Sequence, residues 1–435
     1  MRSALSSPRL RRILTAYTVN RLGSWVGLVA LSLAVFDHTH SALAVAGLLL
    51  AWQALPAFLV PALVARVEAS ERRGELSGLY YFEAAATAAL AVLLWHFWLP
   101  AVLLLAALDG TAALAASALL RAEVARVARA EAQESLEPGG ADVEGVAREA
   151  ERHANAALNI AFSVAFIGGP IVGGAVVAAA GAPTALFIDV GSFLICGLLL
   201  IDLRPHVQEV GGDSIRARLR SAWKHINETP SLRALLLTEF LSLSFVQAAG
   251  PVEVAYVKAT LHGGDGGYGL FVTAWGAGAV LASVVFARLV KRQLGAILSA
   301  GVFALGAAFI GMAVAPSLAL ACVASLAGGI GNALEWPALI SLVQSLTPQH
   351  LQGRLMGAVE SLAALTLAIG LPLGGALVAL SSPRTAFLVV GIATTATTVA
   401  FVRLTLGLRP KPAGLPVAAE AAPMPELAQQ EPASR

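Results

Sequence analysis

Charged residues are scarce in this sequence. Only 13% of the 435 residues are Asp, Glu, Lys or Arg, whereas about a quarter are charged in a typical soluble domain. Hydrophobic residues make up 57% of the chain, and its mean hydropathy is +0.75. A water-soluble fold of this size could not bury so much apolar surface. The composition therefore excludes a soluble cytosolic enzyme and a disordered chain.

Residue types that carry chemistry are also rare. The two cysteines, Cys196 and Cys322, lie inside apolar runs, which excludes a disulfide framework. None of the four lysines is followed by Ser or Thr, so the chain lacks the phosphate-binding G-x-x-x-x-G-K-[ST] loop and is not expected to hydrolyse ATP. There is no H-E-x-x-H motif either, and we expect no metal and no cofactor.

Long apolar runs dominate what is present. A membrane-spanning helix needs about 20 mainly apolar residues, because the hydrocarbon layer is about 30 Å thick. The length and continuity of the apolar runs favour helices over the alternating strands of a barrel. The first apolar run is too long for the hydrophobic region of a cleaved signal peptide. We predict an all-α integral membrane protein with twelve transmembrane helices, at 13–36, 41–65, 76–98, 100–121, 155–180, 183–203, 233–257, 267–290, 294–314, 317–344, 354–380 and 384–406.

The basic residues predict the topology. Of the 29 Lys and Arg, 26 fall in loops and termini on one side of the twelve-span arrangement, two fall on the other side, and Arg21 lies inside a span. Cytoplasmic loops are the ones enriched in Lys and Arg. We therefore predict cytoplasmic termini in a bacterial plasma (inner) membrane, where the lipid bilayer is a partner. Because the topology explains where the basic residues lie, we expect no nucleic-acid binding. Separately, we expect the protein to be a monomer.

The two halves of the chain resemble each other. The segment Gly169–Ala178 corresponds to Leu371–Ala379, and Trp52 corresponds to Trp275. Corresponding spans point the same way, which is typical of transporters built from two parallel repeats. The predicted organisation is an N-terminal six-helix half, a central cytoplasmic loop, a C-terminal six-helix half and a disordered cytoplasmic tail, at residues 1–203, 204–232, 233–408 and 409–435.

Two cytoplasmic segments have their own patterns. Residues 123–153 are charged, Ala-rich and interrupted by Pro138-Gly139-Gly140, which indicates two short surface helices or a flexible insert. In the central loop, residues 215–226 are basic, with apolar residues at helical spacing. This pattern predicts a helix that lies at the membrane surface.

Five short motifs are shared with a known family of membrane proteins, namely Asn20–Trp25, Phe36–Ala44, Ala154–Ala156, Gly169–Gly174 and Gly353–Gly357. Through them the chain resembles the major facilitator superfamily, and within it the branch of enterobactin-type siderophore exporters and macrolide-efflux proteins. The resemblance covers about residues 10–406. It implies secondary transport by alternating access, export coupled to proton entry, and a central cavity lined by spans 1, 4, 7 and 10.

One feature departs from that family's pattern. The loop between spans 2 and 3 usually contains a glycine, then an aspartate and basic residues. Here Ala65–Gly74 keeps the basic pair without a clear counterpart of that glycine and aspartate, and the loop between spans 8 and 9 also lacks the acid. The candidate gating residues of these loops are Arg66, Arg72, Arg73 and Arg288.

Ionisable residues inside the spans are candidates for proton coupling, because each costs at least about 2.5–3.5 kcal/mol at the bilayer centre. Asp109 ranks first because it lies near the middle of span 4. Removal from water favours the neutral form of a carboxyl group, and proton binding can then change the favoured conformation. Alternatively, Asp109 is a permanent ion-pair partner of Arg21. The other proton-coupling candidates are Glu83, Glu335 and Glu239; Asp189 and Glu360 rank lower.

Polar and aromatic residues in the spans are candidates for the substrate pathway. Arg21 could grip an anion with two hydrogen bonds, or it could extend toward the membrane surface. Aromatic faces with a few amides suit large, partly apolar ligands, although Trp is also frequent at membrane interfaces. The candidates are Arg21, Asn20, Trp52, Gln53, Gln247, Trp275, Asn332 and Trp336.

Together with the transport that the family resemblance implies, these residues predict a secondary transporter, not an enzyme. The predicted activity is proton-coupled export of a small organic molecule, either a drug or a siderophore-like compound. Two alternatives remain open at this point. One is a membrane-embedded enzyme that modifies lipids, although the spans contain no histidine paired with a nucleophile. The other is a scaffold or sensor without transport activity, which would use residues 123–153 and the tail for docking.

Overall fold

The computed structural model describes residues 7–56, 75–134, 143–202, 215–289 and 294–407, and the described chain is almost entirely helical. A π-helical turn, Leu50–Ala54, follows the helix Ala42–Leu49, and another, Tyr256–Thr260, follows the helix Pro230–Ala255. The helices are α1 (Pro8–Thr39), α2 (Ala42–Leu49), α3 (Glu75–Leu93), α4 (Leu99–Glu134), α5 (Val143–Ala180), α6 (Ala182–Leu199), α7 (Ile215–Glu228), α8 (Pro230–Ala255), α9 (Gly264–Leu289), α10 (Leu294–Val314), α11 (Leu318–Ser345), α12 (Gln349–Leu380) and α13 (Pro383–Gly407).

Ten of the described helices are long and apolar enough to cross a membrane, namely α1, α3 to α6, α8 and α10 to α13. The chain is therefore a multi-pass membrane protein. The predicted second span begins as the shorter apolar helix Ala42–Ala54, and its remainder falls in 57–74, outside the described residues. The predicted eighth span coincides with α9. The total of twelve spans stays a prediction.

The bundle has a proximal end, where α1 begins, and a distal end, where α1 finishes. At the proximal end, the thiol of Cys196 from α6 lies 3.1 Å from the carbonyl oxygen of Ala16. At the distal end, the Tyr256 hydroxyl after α8 donates to the carbonyl of Met312 in α10. Arg384, at the start of α13, donates to the carbonyl of Ala313 at 2.8 Å. α1 and α6 therefore run in opposite directions, as do α10 and α13.

The hydrophobic core is joined at one end of the bundle and divided at the other. The distal cluster contains residues of both halves, such as Leu33 and Leu48 with Phe309 and Phe387. At the proximal end, one cluster is built from residues of the first half, including Tyr17. A separate proximal cluster is built from α7 and the helices of the second half. Among the described residues, the halves therefore share a core only at the distal end.

Glycines allow the two halves to approach closely at the distal end. A Cβ atom added to Gly269 of α9 would lie 2.4 Å from the carbonyl oxygen of Pro170 in α5. One added to Gly375 of α12 would lie 2.9 Å from the Cα atom of Leu43 in α2. Small residues such as glycine permit such close contacts between the backbones of membrane helices.

Segment 123–153 differs from the prediction, because its described parts extend the membrane helices. α4 continues to Glu134 and α5 already begins at Val143. Val124 and Val127 are buried in the proximal cluster of the first half, and Arg129 pairs with Glu151 at 2.6 Å. This apolar stripe and the Ala-rich composition sustain both helices. Residues 135–142, with Pro138-Gly139-Gly140, lie outside the described residues.

Helix α7 lies where the sequence predicts a surface helix. Ile226 is buried in the proximal cluster of the second half, whereas Trp223 is exposed. Arg354 of α12 donates a hydrogen bond to Ser221 at 3.2 Å. α7 is thus attached to the second half through one face. The rest of the central loop before α7, from residue 204, and the tail 409–435 lie outside the described residues.

Candidate functional site

A cavity with acidic groups lies inside the first half, and it is large enough for ordered water. α1, the π-helical turn after α2, and helices α3, α4 and α6 form its wall. Most of that wall is apolar. The polar residues that line it are Ser24, Trp52, Thr87, Asp109 and Asp189.

Asp109 is buried and held by two uncharged donors. Its Oδ2 accepts a hydrogen bond from the Trp52 indole at 3.1 Å, and its Oδ1 accepts one from the Thr87 hydroxyl at 3.1 Å. Within the described part of the chain, no Lys or Arg forms an ion pair with Asp109. The protonated carboxyl keeps acceptor capacity for such donors, so Asp109 can change its charge without breaking a salt bridge.

The alternative ion pair between Arg21 and Asp109 is absent from the structure. The Arg21 guanidinium donates to the Ser117 hydroxyl and lies over the Tyr17 ring, 5.3 Å from its centroid. Ser117 is eight residues beyond Asp109 on α4, which corresponds to about 12 Å along the helix axis. Arg21 instead lies within electrostatic range of Glu83.

Glu83 adds a second acidic group near this cavity. It is fully buried, and neither carboxyl oxygen has a hydrogen-bond partner among the described residues. It lies within electrostatic range of Asp109 and Asp189. An ionised carboxylate is costly to bury without hydrogen bonds. Glu83 is therefore a second group suited to hold a proton.

Asp189 is the acidic residue that sequence reasoning undervalued. It lines the cavity and accepts a hydrogen bond from Ser192 at 3.0 Å. Its carboxyl oxygens lie 2.4 Å and 2.3 Å from Cβ atoms added to Gly23 and Gly27 of α1. Two glycines four residues apart make the space for this carboxyl group. The four-residue spacing of the two glycines is visible in the sequence. It points to Asp189 only once α1 is known to pack against α6.

The second half contains its own acidic pair. Glu239 of α8 and Glu335 of α11 are buried, and they lie close enough for their charges to interact. Both oxygens of Glu239 and one oxygen of Glu335 lack a hydrogen-bond partner in the described part of the chain. Asn332 and Trp336 are half-buried on α11 beside Glu335. The proton-coupling candidates therefore fall into two groups, one in each half.

The remaining pathway candidates are dispersed. The Trp275 ring stacks on Phe309 with the centroids 5.9 Å apart, and both Trp275 and its repeat counterpart Trp52 pack against the distal core. Gln247 packs where α8 meets α12, beside Gly370. Asn20 is buried and Gln53 is half-buried. The structure does not describe the side chains of the candidate gating residues, Arg66, Arg72, Arg73 and Arg288.

We expect Trp52→Phe to slow transport by roughly tenfold, because a hydrogen bond to a charged group contributes about 1.5–3 kcal/mol. The phenyl ring keeps most of the packing but donates no hydrogen bond to Asp109. Initial rates of compound uptake into inside-out vesicles measure the effect. Trp275→Phe is the matched control and should change the rate by less than about twofold. Equal losses in the two variants would show that ring size matters rather than the hydrogen bond.

Comparisons with known proteins agree with the fold. The nucleoside transporter NupG superposes with a TM-score of 0.72 at 12% identity, covering 92% of this chain and 99% of that one. A bacterial homologue of the iron transporter ferroportin, solved in an inward-facing state, superposes with a TM-score of 0.68 at 18% identity. That match covers 91% of this chain and 98% of the homologue. At these identities the likeness concerns the fold alone.

Sequence comparisons point to a family. Residues 235–432 match the model of the Major Facilitator Superfamily. The multidrug efflux pump Tap of Mycolicibacterium fortuitum is 26% identical over 263 residues, which cover 55% of this chain and 60% of the pump. The match thus spans less than two thirds of that relative. The second half of the chain therefore matches the Major Facilitator Superfamily model, and a multidrug efflux pump is among the relatives of the chain.

Proposed function

We propose that the chain is a proton-coupled exporter of a small organic molecule, a drug or a siderophore-like compound. It has twelve spans in two halves of six and works by alternating access. Its termini lie in the cytoplasm of a bacterial cell, so the proximal end of the bundle faces inward. The similarity to a named efflux pump supports export.

The observation that carries the proposal is the setting of Asp109. The Asp109 carboxyl group is held by two uncharged donors and lies beside a cavity that can hold water. It can therefore exchange a proton when the side of the membrane to which the cavity is open changes. Glu83 and Asp189 surround it with further acidic groups. Like charges in one site oppose simultaneous ionisation, so protonation of one group changes the energy of the others. A proton can thereby favour one conformation over another.

The arrangement of the core supports alternating access. The halves share a core at the distal end and have separate cores at the proximal end. Under the proposed topology this is a state closed to the outside, in which a compound enters from the cytoplasm. The likeness to a ferroportin homologue in an inward-facing state agrees with this reading.

Inside-out vesicles with an acidic interior test the proposal. The unaltered protein, incorporated in such vesicles, is exposed to a panel of drugs and siderophore-like compounds while a dye reports the internal pH. An exported compound should enter the vesicle and release protons from it. Vesicles without the protein, and vesicles treated with an uncoupler, are the controls.

Two results would contradict different parts of the proposal. Uptake of a labelled compound without proton release would contradict proton coupling. Uptake only when the gradient is reversed would contradict export and would favour import. Proton release that a compound of the panel causes in vesicles with the protein, but not in protein-free vesicles, supports both parts and identifies the substrate class.

A further inference from the structure

A lysine at the distal end contacts carboxylates on both halves. The Lys258 Nζ atom, in the π-helical turn after α8, lies 2.6 Å from Asp37 Oδ1 near the end of α1. The same ammonium group also pairs with Asp265 in the first turn of α9. Asp37 belongs to the first half, whereas Lys258 and Asp265 belong to the second. Lys258–Asp37 is therefore an ion pair between two described residues that joins the two halves.

The two carboxylates have opposite effects on contact between the halves. Asp37 attracts Lys258 across the interface and therefore favours the joined distal end. Asp265 competes for the same ammonium group and repels Asp37 across the interface. When the halves separate, Lys258 loses Asp37 but keeps Asp265. Separation therefore never leaves the lysine without a counter-ion, which lowers the electrostatic cost of opening.

We propose that Asp37, Lys258 and Asp265 form a latch for the distal end, in which Asp37 holds the halves together and Asp265 lets them part. This inference rests on the alternating access of the proposed function. The ion pair acts where the shared core and the Gly269 contact already join the halves. Lys258 is 18% exposed and Asp37 is 43% exposed, so water can reach the pair as it opens.

A cysteine buried between the halves reports the opening. Ala46 of α2 is 1% exposed, and its Cβ atom lies 3.0 Å from a Cβ added to Gly375 of α12. The reporter protein carries Ala46→Cys in a background with Cys196→Ala and Cys322→Ala. It is placed in lipid nanodiscs, and the rate of labelling by a water-soluble maleimide is followed. Both faces of a nanodisc are accessible, so the readout is independent of topology, substrate and proton gradient.

The two isosteric substitutions should move the labelling rate in opposite directions. Asp37→Asn should raise it, because it removes the cross-interface attraction. Asp265→Asn should lower it, because Lys258 would lose its partner on opening and Asp37 would no longer be repelled. We expect changes of about two- to fivefold, the range of a partly exposed ion pair. In Lys258→Met, labelling should be faster than in the parent.

Further variants decide between a latch and a general disturbance. Asp202→Asn removes a carboxylate that pairs with Arg12 at 3.6 Å at the proximal end, and it should leave the rate unchanged. Changes in the same direction for both Asp variants would overturn the latch, as would a Lys258→Met protein labelled no faster than the parent. A protein that transports none of the compounds can still show the opposed rates. The two proposals therefore fail separately.

Discussion

Vesicles that carry the Asp109→Asn protein should release no protons above background when given a compound that the unaltered protein exports. The amide is almost the same size as the carboxyl group and can still accept a hydrogen bond from Trp52 or Thr87. The cavity and the fold should therefore persist. An amide, however, cannot take up and return a proton at physiological pH. We expect proton-driven uptake to fall at least about tenfold, since positioned proton-transfer groups commonly contribute factors of that size or more.

Two measurements make the result specific to Asp109. Binding of a labelled compound should be retained, because Asp109→Asn removes proton exchange and not the fold. Glu360→Gln changes an exposed carboxyl group of α12 and should leave proton release intact. Full proton release from Asp109→Asn vesicles would mean that Asp109 is not the carrier. The same assay on Glu83→Gln and Glu335→Gln would then test the next candidates.

The second large effect on transport is expected from Gly269→Ala, which adds a single methyl group. The Cβ atom of alanine there would lie 2.4 Å from the carbonyl oxygen of Pro170, which is closer than real Cβ contacts come. Because the obstacle is backbone of the other half, the halves must move apart. Gly269→Ala should reduce transport about tenfold or more, as a displacement of about 1 Å can already cost two orders of magnitude. It should also expose the cysteine at position 46 to maleimide.

The same helix supplies the control. A Cβ atom added to Gly266 meets no atom within 4 Å, so Gly266→Ala should leave transport and labelling close to those of the parent. Each half retains its own proximal core, and the Gly269→Ala protein should therefore still elute as a monodisperse species. Equal transport in both alanine variants would show that the distal contact is not needed for the cycle.

The sequence predicted the elements better than their contacts. Ten of the predicted spans have apolar helices of sufficient length, because the bilayer imposes that length on each segment separately. The burial of Asp109 was likewise visible from its place within an apolar run. Its partners were not, because the Trp52–Asp109 hydrogen bond joins α4 to the turn after α2. No local pattern encodes which helices are neighbours.

The errors have the same origin. Arg21 and Asp109 were obvious partners by charge, yet the side chain of Arg21 meets Ser117 and Tyr17 instead. Asp189 was undervalued because the glycines that accommodate it belong to α1, more than 150 residues earlier. For segment 123–153, two short surface helices or a flexible insert were expected because its charges masked a narrow buried stripe. In each case, packing between distant segments decided the outcome.

The divided core bears on whether the molecule can be assembled from two pieces. Each piece obtained by interrupting the chain between α6 and α7 would keep its own proximal cluster intact. Each would also present a bare surface made of residues that the distal cluster normally covers. Those surfaces meet at small residues where α5 crosses α9, Gly174 and Gly269 among them. Co-produced fragments would therefore recognise each other inside the bilayer, and neither would be complete alone.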